Sequence, residues 1–253
     1  IIPAKFCIMS KKTWSLMMLR ITFALVLPLV CAGCATTWEE PAVLAPETRP
    51  AKPDRTPEQR EKLRSDSRGA AALGWYNLRQ FRERNDPYYL QSAIRIFNYS
   101  WNFDPENFQS YRGWGIVRGE QATLPEFADR REQYLCQSVE LLRMARMYAP
   151  ADQQFRLAMD LANAKTGLGW FYRSSGKAAE AEASLKESRE LLQSVLQTHP
   201  AEGRACYLLA ANAFYRGEIA EARQWAEQAR RLGAELSPDF QRDLDNAGKS
   251  DGK

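Results

Sequence analysis

Histidine is almost missing from this chain of 253 residues, where His199 stands alone. A structural zinc site takes about four nitrogen or sulfur ligands, and one imidazole with five cysteines, among which Cys31 and Cys34 form the single close pair, supplies them poorly. Nucleophiles paired with histidine are short of parts for the same reason. The sequence has no G-x-x-x-x-G-K loop to cradle phosphates, and no alternating apolar run to argue for a sheet. No metal or cofactor is therefore expected. An enzyme would have to work through scattered carboxylates that the sequence does not single out, and the reading favoured here is non-enzymatic.

An excess of charge is also lacking once the chain is divided. Lys5, Lys11, Lys12 and Arg20 precede Cys34, and no acid occurs before Glu39. Without those four, 31 lysines and arginines face 31 acids, although the whole chain carries a formal +4. The basic footprint of a nucleic-acid binder is missing, so nucleic acid is not expected as a partner.

The basic residues instead flank the apolar run ITFALVLPLV, residues 21–30, which has the length of a secretory h-region. A spanning helix needs about twenty apolar residues, and Arg20 interrupts any longer window. After the run comes CAGC, residues 31–34. This segment resembles a bacterial lipoprotein signal: Ala32 and Gly33 match the lipobox and Cys34 holds the lipidated place, while Cys31 departs from the usual leucine. The resemblance implies cleavage before Cys34, a membrane anchor at that thiol, and loss of the C-x-x-C pair. Ala35, rather than Asp, follows the anchor and implies transfer to the bacterial outer membrane, facing the periplasm. Met9 opens a complete n-region, MSKKTWSLMMLR, so translation is expected to start there or at a non-Met codon upstream, which would leave residues 1–8 untranslated in the first case.

The expected organisation is a signal peptide over 1–33, an anchored linker over 34–66, a helical domain over 67–246 and a disordered tail over 247–253. The linker is rich in proline and charge, and a flexible chain of its length reaches about 30 Å. Cys136 and Cys206 sit among apolar helical neighbours, where cysteine behaves as a small buried hydrophobe.

Past residue 67, apolar residues recur at spacings of three and four, which predicts an all-α domain. LGWY at 73–76 returns as LGWF at 168–171, with GWGIV at 113–117 between them. Stretches ending at Pro105, Pro150 and Pro200 close each unit. These residues resemble the tetratricopeptide repeat, with Leu168, Gly169, Tyr172, Ala181 and Leu185 matching in the third unit and Leu209, Ala210, Ala213, Ala222, Ala226 and Ala229 in the fourth. Leu73, Gly74, Ala93 and Phe97 fit the first unit, and Trp114, Gly115, Leu142 and Ala145 the second.

The resemblance implies an α-solenoid of about four helix pairs. The spacing of the closing prolines exceeds the usual repeat period of about 34 residues, so some pairs are expected to be elongated. Thr123 and Glu126 are spaced as a capping box, predicting a long helix from Leu124 to Tyr148, and a second from 176 to 198. Ser237 is the expected N-cap of a short terminal cap helix.

By the same resemblance the first helix of each pair lines a concave groove. The places that face it hold Trp75, Arg112, Ile116, Trp170, Arg173, Tyr207, Ala211 and Phe214. The implied partner is an extended or helical segment of another envelope protein, in an assembly, secretion or cell-wall system. A self-assembling scaffold is the alternative.

Overall fold

The computed structural model describes residues 55–250, with side-chain burial to residue 247. The expected signal peptide, Cys34 and the linker as far as residue 54 lie outside the described residues.

Nine α-helices follow one another among the described residues. They are α1 (Pro57–Arg84), α2 (Pro87–Phe103), α3 (Phe108–Gln121), α4 (Arg131–Tyr148), α5 (Gln154–Ser174), α6 (Ala178–Thr198), α7 (Gly203–Arg216), α8 (Ile219–Arg231) and α9 (Pro238–Ser250). The first eight pack as consecutive antiparallel pairs, and each second helix also touches the first helix of the next pair. The first helices α1, α3, α5 and α7 touch one another in series, whereas the second helices make no comparable approach. Four helix pairs stacked in this way form an all-α solenoid with the first helices on its inner side.

Glycine permits the tightest contacts within the stack. The Phe97 ring of α2 lies against the backbone of both neighbours: a Cβ on Gly74 would stand 2.7 Å from it, and one on Gly113 only 2.1 Å. Phe97 is fully buried there. Leu142 fills the corresponding place over Gly115, at 2.9 Å, and Leu185 that over Gly169, at 2.6 Å. In the first three pairs the large side chain of the second helix thus lies where the first helix lacks a Cβ, which explains why the L-G and large-residue places recur together there.

Small polar residues seal the remaining seams. Ser67 and Ser100 each donate to the other's carbonyl at 2.8 Å, and Asn107 donates to the Ser67 hydroxyl at 2.8 Å. Between α5, α6 and α7, Ser188 donates to the Ala162 carbonyl at 2.8 Å and Asn212 to that of Leu185 at 2.9 Å. Buried polar groups satisfied in this way cost little and fix register.

Several expectations from the sequence are corrected. Helix α1 begins at Pro57, ten residues before the boundary expected at 67. Thr56 and Gln59 form a reciprocal capping box, with Pro57 in the first turn. The opening turns, PEQREKLRSD, are so charged that no apolar stripe marks them as helix. The long helix expected from Leu124 is a 3₁₀ segment, Pro125–Arg130, followed by α4, with Phe127 leaving helical geometry at φ −112° and ψ 23°. Thr123 turns its hydroxyl back to the Glu120 carbonyl at 2.7 Å, so no capping box starts the helix. Phe127 instead packs edge-on against Tyr134 at 5.5 Å.

Cys206 is buried as expected, but Cys136 is exposed, and both are free thiols. Position 136 follows the core-facing Tyr134 and Leu135 and is rotated toward solvent. Leu73 departs from its repeat place too: it is 51% exposed, while Leu168 at the same place is buried against Leu135 and its neighbours. No described helix precedes α1 to cover it.

Lys165 is buried in α5 and pairs with Glu187 of α6, which Arg143 of α4 also approaches at 3.6 Å. The Lys165 hydrogen bond, ahead of opposing desolvation and aided by the charge of Arg143, holds the Glu187 carboxyl below its usual value of 4.5. A carboxylate depressed in the fold contributes stability above its unfolded pKa and loses it as pH falls through the folded value. Glu187→Gln is expected to lower stability by about 1 kcal/mol near pH 7, at the modest end because half the carboxylate side chain faces water. Urea titrations should show the gap between variant and wild type closing below about pH 4. A gap constant with pH would separate the ion pair from any stability effect.

Candidate functional site

The inner face begins at the first helix pair. Trp75 on α1 stands edge-on to Phe97 with ring centroids 5.4 Å apart, so its ring is braced by the core. Arg112 on α3 lays its guanidinium 5.3 Å from the centre of the Trp75 ring, a cation–π contact between neighbouring first helices. Arg68, Ala71, Ala72, Asn107 and Gln109 complete the walls of a pocket of about 450 Å³ around this pair.

Arg112 is fixed from its far side by Asp160 of α5, its Nε donating to Oδ2 at 2.8 Å. The other oxygen, Oδ1, accepts from the guanidinium of Arg204 on α7 at 2.7 Å. One buried carboxylate, its side chain 3% exposed, thus ties three successive first helices together. Charge-assisted bonds to a carboxylate with restricted access to water are stronger than neutral ones. Arg112 and Arg204 share a single negative charge, so the trio keeps one positive charge.

A second pocket of about 240 Å³ opens between the C-terminal ends of α5 and α7, lined by Trp170, Arg173, Ser174, Phe214, Tyr215 and Gly217. Its floor is set by local structure. Gly217 ends α7 in the left-handed region at φ 85°, which glycine adopts without strain. The Arg173 guanidinium donates to the Tyr215 carbonyl at 2.7 Å. Trp170 and Tyr215 lean together with centroids 6.2 Å apart. Burial pushes the Tyr215 hydroxyl up to about 12, so this phenol stays neutral at physiological pH.

Five residues expected at the groove thus line the two pockets: Trp75 and Arg112 in the first, and Trp170, Arg173 and Phe214 in the second. Ile116 lies between helix layers, half-buried against two clusters of the core. Tyr207 is corrected from groove to core: it is 7% exposed, and its ring meets Phe240 of α9 at 5.5 Å. Helix α9 covers it, and no repeat pattern predicts where a terminal cap will lie. Ala211 is also buried.

Asp160 and Arg204 escaped the sequence reading. The available signal was a lone acid within the apolar run LAMDLANA, since a charge is rarely buried there unless paired. His199 is exposed and stacks on Phe155 with centroids 4.1 Å apart. Among the described residues, no three His, Cys, Asp or Glu side chains gather as a metal-binding group.

Residues 160–233, which run from Asp160 through both walls of the second pocket, match the tetratricopeptide repeat family. No curated protein matches the chain.

Proposed function

We propose that this chain is a lipid-anchored interaction module of a bacterial envelope, whose inner helical face holds a segment of another envelope protein. Tetratricopeptide repeats generally mediate protein–protein interaction, and the match over 160–233 supports that role here. The observation that carries the groove is the placement of two pockets, each pairing a tryptophan with an arginine, on one helix layer cross-braced by Asp160. Aromatic and arginine side chains held rigidly beside open volume are the commonest anchors of protein interfaces. Anchoring at Cys34 and outer-membrane placement facing the periplasm rest on the signal and on Ala35.

The test is crosslinking in intact cells followed by mass spectrometry. Wild type is compared with Trp75→Ala/Trp170→Ala, both first shown to be folded and acylated. A partner captured by wild type and lost from the variant is the expected result. Equal capture by both would remove the groove from the account. Recovery of the chain crosslinked to itself alone would favour a self-assembling scaffold, a second reading that draws on the exposed Leu73 and Tyr76 of α1.

A further inference from the structure

The two pockets differ in the electrostatics of their walls. Asn107, the N-cap of α3, and Gln109 in its first turn line the Trp75 pocket, so that pocket opens at the positive end of a helix. The second pocket lies at the C-terminal ends of α5 and α7, where helix carbonyls favour cations, and Arg173 already donates to one of them at Tyr215. An anion is therefore better placed in the first pocket than in the second.

The deciding group there is Arg112. Its Nε is committed to Asp160 at 2.8 Å, and its guanidinium carbon stands 5.3 Å from the centre of the Trp75 ring. Among the described residues its two terminal nitrogens donate to nothing. Asp160 divides its single charge between Arg112 and Arg204, so the cation at the pocket is incompletely neutralised. Held at Nε by a carboxylate and on its face by an indole, the guanidinium keeps a pre-ordered edge, which a second carboxylate can meet with two parallel hydrogen bonds. Little ordering cost remains for a ligand that supplies one. Arg68 contributes less, because it is paired with Glu61 at 2.9 Å and both side chains are 63% exposed. Ala71, Ala72 and Trp75 make the α1 wall apolar, and a volume of about 450 Å³ admits one large side chain.

Building on the groove reading, we propose that the Trp75 pocket recognises a paired determinant in the bound protein segment: one large apolar side chain against Trp75 and the alanines, and at Arg112 the side-chain carboxylate of a residue within two positions of it. The 5.3 Å between guanidinium and indole sets that closeness, since two residues of extended chain span about 7 Å. The apolar group supplies contact area, and the acid selects among segments that share it.

The test uses random hexapeptides displayed on phage inside a coat protein, so that none ends in a free carboxylate, panned against the full chain in detergent. Enriched sequences should carry a large apolar residue with Asp or Glu one or two positions away. In a synthetic consensus peptide with an amidated C-terminus, changing that acid to its amide should weaken binding about tenfold in wild type and roughly twofold or less in Arg112→Gln. A purely structural role of Arg112 would not produce this non-additivity. If thermal unfolding shows that Arg112→Gln is not folded, Arg112→Lys takes its place, and the acid effect should fall to about threefold because lysine lacks the planar fork. Trp170→Ala should leave the acid effect unchanged. An equal acid effect in wild type and the Arg112 variant would overturn the proposal. Neutral or basic sequences that still need Trp75 would overturn it and leave the groove reading standing. Enrichment indifferent to both Trp75→Ala and Trp170→Ala would overturn the two together. No enrichment would overturn the paired determinant alone if crosslinked capture remained groove-dependent, and both readings if it did not. Self-association abolished by Trp75→Ala would seat a second copy there instead.

Discussion

Phe97→Ala is expected to lower the unfolding free energy by about 3–5 kcal/mol, the range for emptying a buried aromatic site. The ring fills a slot between two helix backbones, and the glycines lining it have no side chains with which to close the cavity. Gly113→Ala in the wild-type chain is expected to cost about 1–3 kcal/mol by overpacking, because its new methyl would lie 2.1 Å from the ring. In the Phe97→Ala background the sign should reverse. With the ring gone the methyl has room, and alanine in a helix interior is worth roughly 0.5–1 kcal/mol over glycine. Urea denaturation followed by far-ultraviolet circular dichroism on the four chains of this cycle gives the coupling directly. Costs that simply add would show that Phe97 and Gly113 do not share the slot.

Arg112→Ala/Arg204→Ala is expected to cost about 3–5 kcal/mol, more than the opposite change Asp160→Ala, which should cost roughly 2 kcal/mol. The asymmetry follows from access to water. Asp160 is shut in on α5 and would keep a charge without a cation, whereas the arginine side chains, 20% and 40% exposed, can turn outward when the acid is removed. Adding Asp160→Leu to the double-arginine variant should recover most of the loss, since an apolar side chain needs no counter-charge. Thermal unfolding of the three variants decides the order. A smaller loss for the arginine pair than for the aspartate would mean that the carboxylate finds water or another donor.

The recurrence of LGW with a large residue about twenty positions later was readable because it reflects contact between adjacent backbones. Gly169 and Leu185 show it directly: the spacing in sequence is set by one helix turning back upon another. The start of α1 was not readable, because its capping box opens a stretch with helical propensity but no buried face. The break at Phe127 was hidden as well, since T-L-P-E satisfies the spacing of a cap while the hydroxyl finds a nearer carbonyl behind it. At the site, the repeat places named two of the residues that line the first pocket and three of those that line the second. The Arg112–Asp160–Arg204 brace joins residues 44 and 48 positions apart, and nothing local records such a pairing. Tyr207 was misplaced because its surroundings come from a helix outside the repeat pattern.

Helix α9 bears on association in a further way. Phe240 packs against Tyr207 and Phe214 and, with Leu244, joins the α7–α8 cluster. A chain of copies joined head to tail would need two complementary open ends, and here α9 takes up one of them. Were two copies to meet through the exposed Leu73 and Tyr76 of α1, the contact would then be isologous, with the copies related by a two-fold axis that uses up the surface on both sides. Such growth would stop at two, and a filament would require α9 to come away first.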